Sequence, residues 1–392
     1  MPEGTTIAED ITEFPASADD KVWLQPAPDR LLAWDIAARL VSTEITGLVP
    51  QPETWLKFSL NPESGWLAAT PSLPIMQPVP AGWKTSFYTL PTGRLLGQLP
   101  AAEFLLAPRG RRALGPGING WAIVHASGAQ LAMVDVRPAG PIDSEWSSAA
   151  VFSPDGAQVF VARGDGKIEV FDSDTGVSKR VIPFAQDQKT SVNQLRVDPS
   201  CRWALVATHD KSWRIGLTNG RSDEVFANED RYNQWTFLDG GKLIVGAAGS
   251  MIKWWTFPEL KPVAQAKVEG TAASVLLGPD RSELLIKTKW EGSLTIVDRN
   301  TGSVRMRLSG VIALDPTLRN AALKVPVDGY DSLRIIRLSD GEIIAERFNL
   351  SPSSTAFAAD GSRVIYEHDK KFVSFALPYE AAALRQRAAT LR

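Results

Sequence analysis

From Val151 the chain reads VFSPDGAQVFVARGDGKIEVFDSDTGVSKRVIPF, a series of short apolar runs separated by polar turns. Each run alternates or is continuously apolar, is rich in β-branched and aromatic residues, and is too short for a helical period, so each reads as a strand. The turns fall at Asp155-Gly156, Gly164-Asp165-Gly166 and Thr175-Gly176, with glycine where a hairpin needs positive φ. The segment is therefore strand, turn, strand, turn, strand, turn, strand.

The pattern recurs. Residues 197–207 lie under 152–162 at an offset of about 45 residues, which places Pro199 under Pro154, Cys201 under Gly156 and Asp210 under Asp165. Gly278-Pro279-Asp280-Arg281 repeats the first turn, and Asp298-Arg299-Asn300-Thr301-Gly302 repeats the third. Further copies run over 237–245 and 358–366, and degenerate ones begin near Phe58, Phe104 and Ile312. First strands of successive units are expected near Phe58, Phe104, Ala149, Asn193, Asn233, Ala273, Val311 and Thr355. A four-stranded unit with two apolar faces cannot bury either alone, so the units must stack. Trp254-Trp255 shows why: neighbours on a strand point to opposite faces, and here both are apolar.

On these residues the chain resembles the WD-repeat and YVTN-type β-propeller family over residues 21–378. Trp34-Asp35 carries the family's dipeptide, Phe171-Asp172 and Val297-Asp298 hold the same slot, and the Gly-His dipeptide is missing. The resemblance implies an all-β fold, a WD-like β-propeller whose stability leans on apolar packing between blades. Eight blades would take about 45 residues each and seven about 51; a period of about 40–45 favours eight, with seven possible. The last unit supplies strands through 372–375, and residues 40–45 are expected to add its fourth, so that N- and C-terminal strands close the ring.

Three segments stand outside the repeat. Residues 1–20 hold Glu3, Glu9, Asp10, Glu13, Asp19 and Asp20 with no basic group, and read as an acidic disordered arm. Residues 379–392 read as a short helical tail. Residues 71–83 insert a proline-bearing loop between two strands, and its Leu73, Ile75, Met76 and Trp83 are candidate partner-binding residues. Arg109, Arg111 and Arg112, in one turn, form a second candidate surface, suited to an acidic partner.

Composition narrows the function. The chain has 392 residues, 44% hydrophobic and 22% charged, with a net charge of -2, so nothing draws it generally to nucleic acid. Its single cysteine, Cys201, cannot make an intrachain disulfide, and no apolar run approaches the about 18 residues of a membrane span. A cytoplasmic location follows as the expectation. Its thirteen tryptophans are spread along the chain, as a recurring structural position would require.

Candidate chemistry is sparse. His209 and His368 precede Asp210 and Asp369 at matching turns, His125 ends an apolar run, and Cys201 occupies a turn slot. No nucleophile elbow or phosphate loop occurs. The expected function is a non-catalytic protein–protein interaction scaffold, needing no metal or cofactor, present as a monomeric ring within a larger complex. The alternatives are a propeller enzyme of the metal-assisted hydrolase or lactonase type, and a small-ligand sensor using the central channel.

Overall fold

The computed structural model describes residues 5–9, 22–27, 30–35, 40–46, 55–61, 66–72, 82–89, 94–100, 102, 104–117, 120–127, 130–136, 149–185, 191–208, 211–226, 234–288, 292–315, 318–327, 330–348, 355–357, 363–368 and 371–377. The described elements are strands apart from a single 3-10 turn at Asp239–Gly241. Seven consecutive four-stranded antiparallel sheets cover 55–100, 105–136, 149–183, 192–225, 234–267, 272–308 and 311–347. Each runs in chain order, as a series of hairpins must.

Their first strands, Trp55–Asn61, Leu105–Leu106, Ala149–Phe152, Val192–Val197, Gln234–Leu238, Ala272–Leu277 and Val311–Leu314, begin where the repeat places them, and Thr355–Phe357 opens an eighth sheet. That last sheet contains Thr355–Phe357, Arg363–His368 and Lys371–Ala376, and its fourth strand is Thr5–Glu9. N- and C-terminal strands therefore pair, but through a different segment from the expected 40–45. Residues 40–46 instead pair with Arg30–Asp35, which pairs with Val22–Ala27, and the three form a sheet of their own. The acidic arm is corrected at the same point: Thr5–Glu9 is a strand in register with Lys371–Ser374. Thr5-Thr6-Ile7 is a β-branched run, and an unpaired edge on the last sheet gives it somewhere to dock. The rest of the 1–20 arm and the tail 379–392 lie outside the described residues.

The chain divides into two compact units, Met1–Val49 with Gly278–Asp298 and Val304–Arg392, and Pro50–Leu277 with Arg299–Ser303. Within the second unit, pleating sends alternate residues of every strand to opposite sheets. Val159, Val161 and Phe171 pack with Leu114, Ile123 and Val136 of the 105–136 sheet. Phe160, Ala162, Ile168 and Val170 pack the other way, with Leu195, Val206 and Trp213 of the 192–225 sheet. The same alternation joins 55–100 to 105–136 through Trp66, Phe87 and Phe104, and 192–225 to 234–267 through Leu205, Trp235 and Trp255. Trp254 is fully buried and Trp255 nearly so, on opposite faces of one strand. In the first unit, Leu285, Ile296 and Leu323 make one such layer and Leu333, Phe357 and Phe375 the next.

One ionic pair interrupts this apolar stacking. Glu169 is 0% exposed and Arg163 9%, with Nη1 3.3 Å from the carboxylate; Arg163 Nη2 also reaches Asp165 at 3.0 Å. Buried charges persist only when paired in this way.

Candidate interaction surface

The first-turn geometry repeats from sheet to sheet. The N–H of Gly156 donates to Ser153 O, Cys201 to Asp198 O, Arg281 to Gly278 O and Leu318 to Asp315 O. All four turn residues have positive φ, between 55° and 74°, although only one is glycine. Aspartates fix the turns. Asp198 accepts from the N–H groups of Ser200, Arg202 and Trp203, Asp155 from Ala157, and Asp172 from Asp174 and Thr175. Asp155 is held below the usual carboxylate range chiefly by the Ser153 hydroxyl, then by the Ala157 N–H, and last by Arg109. Asp172 is held lower still, first by Lys179 and then by Thr175.

The arginine turn belongs to this series. Arg109 and Arg111 are exposed. Arg112 is not left for a partner: its Nε donates to Asp174 at 2.8 Å, its Nη1 donates to Gly156 O at 3.1 Å, and its Nη2 also meets Asp174. One guanidinium thus holds two turns of the neighbouring sheet. Gly156 sits so close to the preceding turn that a Cβ there would lie 2.6 Å from Arg109 O. Opposite Arg112 in register stands His125. Burial, then Arg112, lowers its pKa, against the opposing pull of Asp174 and Asp172, and its Nε2 has no hydrogen-bond partner. Burial and the charges of Asp155 and Asp198 push the Cys201 thiol up, away from thiolate reactivity.

The proline-bearing insertion is held at its foot. Thr70, just before it, and Thr85, just after it, lie with their hydroxyls 3.1 Å apart and buried, and both donate to Ala102 O, at 3.1 and 3.0 Å. Ala102 N–H donates back to the Thr85 hydroxyl at 3.1 Å. Of the candidate residues there, Trp83 is half-buried, while Leu73, Ile75 and Met76 lie outside the described residues. The structure does not bring the two candidate surfaces together. Ala102 precedes the strand Leu105–Leu106 and Arg109 follows it, so the insertion and the arginine turn stand at opposite ends of that strand.

Other side chains tie sheet to sheet at nearly one repeat distance. Arg214 donates to Pro258 O, and Trp254 Nε1 to Arg299 O at 2.6 Å. On the first strands, the Gln194 amide accepts from Trp235 N–H at 2.8 Å and donates to Trp235 O at 3.5 Å, and Arg196 Nε donates to the same carbonyl at 3.2 Å. Nothing in the local pattern marks Thr70, Thr85, Gln194 or Arg196; as polar strand positions they read as solvated. Among the described residues no three His, Cys, Asp or Glu side chains gather as metal ligands, and no helix is long and apolar enough to cross a membrane.

Comparison with known proteins gives the fold a name. No family model matches the sequence, and no curated protein matches it. Solved structures do. The C-terminal WD40 domain of Sif2 superposes with a TM-score of 0.55 at 7% identity, covering 97% of this chain and 99% of that domain. The dihydro-heme d1 dehydrogenase NirN gives 0.59 at 14% identity, over 87% of this chain and 75% of its own. The computationally designed protein Ika8 gives 0.53 at 12% identity, over 96% and 98%. At such identities the likeness is one of fold: the chain has an all-β, WD-like β-propeller fold.

Proposed function

We propose that this propeller chain is a non-catalytic scaffold that binds other proteins through its loops and the ends of its sheets. The observation that carries the reading is the threonine clamp under residues 71–83. Both strands that flank the insertion are fixed by hydrogen bonds to Ala102, beside a buried contact between the two hydroxyls, which gives the insertion a rigid base. A loop on a rigid base loses little order on binding, and its four prolines reduce that loss further. Trp83 at its exit, with Leu73, Ile75 and Met76 in its sequence, supplies apolar anchors worth roughly 1.5–3 kcal/mol each when buried. Arg109 and Arg111 form a second, polar contact at the opposite strand end. The chain works as a single copy within a larger assembly, and its lone cysteine suits the cytoplasm.

The test replaces residues 73–81 by a short Asn-Gly turn and measures the melting temperature together with partner capture from the native host. The scaffold reading expects an unchanged melt and loss of the main captured protein. A lowered melt with capture intact would give the insertion a purely structural role and overturn the reading.

A further inference from the structure

We propose that Asn219-Gly220 is a self-modifying site, at which the Gly220 backbone nitrogen attacks the Asn219 side-chain amide and converts it to aspartate and isoaspartate without an enzyme. The site goes beyond protein scaffolding and needs no partner. Water is the one co-reactant. The Gly220 nitrogen bonds to Asn219 Cγ, and the proton it loses passes through solvent to the side-chain nitrogen, which leaves as ammonia. Water then opens the resulting succinimide at either carbonyl, giving aspartate or isoaspartate.

The site is the hairpin turn between Ser212–Gly216 and Ser222–Val225. A side chain on the following residue obstructs ring closure, and glycine has none. Among the described asparagines, Asn61 precedes Pro62, Asn193 precedes Gln194, Asn300 precedes Thr301 and Asn320 precedes Ala321; Asn219 alone precedes glycine. Nothing lies within 4 Å of a Cβ at Gly220, so the approach is open. Asn219 is exposed, yet its side chain folds back over the turn. Its Oδ1 accepts the Arg221 N–H at 3.0 Å and lies 2.2 Å from where Gly216 would carry a Cβ. Negative charge develops on that same oxygen during attack, and the Arg221 N–H is already aimed at it. One bond opposes the step: the Gly220 N–H donates to Gly216 O at 2.9 Å and must open first. A single backbone bond at an exposed hairpin tip opens readily, so it slows the conversion without blocking it. The fold also accepts the aspartate product. The matching turn of the 311–347 sheet carries Asp340-Gly341, where Asp340 Oδ1 accepts the Glu342 N–H at 3.0 Å and the Gly341 N–H donates to Arg337 O at 2.9 Å. Isoaspartate instead adds a backbone carbon and shifts the Gly220 N–H off Gly216 O.

The experiment incubates the folded full chain at neutral and at alkaline pH, digests it with an acid protease and maps the peptides by chromatography and mass spectrometry. Asn219 is expected to give two acidic products of equal mass, faster at alkaline pH, while Asn193 and Asn300 stay intact. The second Asn-Gly pair, Asn119-Gly120, has its asparagine outside the described residues and is read on a separate peptide. Gly220→Ala should slow conversion at Asn219 by about tenfold or more. Asn219→Asp should melt with the wild type, because Asp340 already fills the matching slot. An Asn219 that stays intact in the folded chain while the same peptide free in solution converts overturns the site. So does conversion in Gly220→Ala at the wild-type rate, or equal conversion at Asn193 or Asn300. A lowered melt for Asn219→Asp overturns the fold's acceptance of the product.

Discussion

Replacing Gly166 by alanine is expected to destabilise the chain by about 2–4 kcal/mol, more than a turn glycine ordinarily controls. Gly166 has a φ of 78°, where an L-residue costs about 1–2 kcal/mol, partly offset by about 0.4–1 kcal/mol from a less flexible unfolded chain. The larger contribution is contact. A Cβ at this position would lie 1.7 Å from Ala185 O and 2.7 Å from its carbonyl carbon, so the backbone at 184–185 must move. That backbone donates two hydrogen bonds to Gly166 O, from Phe184 at 2.8 Å and Ala185 at 3.1 Å, each worth about 0.5–1.5 kcal/mol. Phe184 and Ala185 are also part of the core shared with Trp213. Gly220 and Gly240 supply the control, since their φ values are 68° and 62° and nothing lies within 4 Å of a Cβ at either. Alanine there isolates the conformational cost, about 1 kcal/mol net. Urea unfolding followed by tryptophan fluorescence measures all three variants at constant slope. If Gly166→Ala loses no more than Gly220→Ala, the close approach to Ala185 carries no energy and the reasoning fails.

Three further outcomes follow from the same geometry. Cys201→Gly should stabilise the chain by about 0.5–1 kcal/mol, because Cys201 holds a φ of 55° at the slot where Gly156 stands; a lower melting temperature would count against it. Glu169→Leu should cost about 1.5–3 kcal/mol by removing the buried carboxylate from Arg163 and leaving it with Asp165, whereas Glu169→Leu with Arg163→Met should recover most of the loss; urea midpoints that leave the double variant as weak as the single would refute this. His125 has a lowered pKa in the folded chain, so the unfolded chain binds the proton more readily. Its contribution is present above the ordinary histidine value and is lost as pH falls through the folded one, and His125→Gln should flatten the melting temperature between about pH 7 and 5.

What the sequence made legible is what hairpins write locally. Asp155-Gly156, Gly164–Gly166 and Thr175-Gly176 each need a special backbone conformation, and their recurrence fixed where each first strand begins. Three things escaped for physical reasons. Thr5–Glu9 is a short strand whose partner lies at the other end of the chain, so no hairpin turn announces it, and its acidic neighbours suggest a solvated arm. Glu169 sits between Ile168 and Val170 and looks like the outward residue of a half-exposed strand; in a sheet covered on both faces there is no outward side, and it is buried. Arg112, Gln194 and Arg196 act on the backbone of the next repeat, a relation that hydrophobic period does not contain. The arginine turn was visible as charge, but that Arg112 would be engaged by Asp174 depended on which turns stacking brings together.

The pairing of Thr5–Glu9 with Lys371–Ala376 also orders events in time. Most other strand partners lie one hairpin away and can meet soon after emerging from the ribosome. This strand emerges about 365 residues ahead of its neighbour, so at about 5–20 residues per second it waits about 20–70 s for a partner. Through that interval the sheets over 55–225 can assemble one after another while an exposed β-branched edge stays unmatched. Glu9 on the strand, with Glu3 and Asp10 beside it in the sequence, then has a second use, as charge that discourages the waiting strand from pairing with a neighbouring nascent chain.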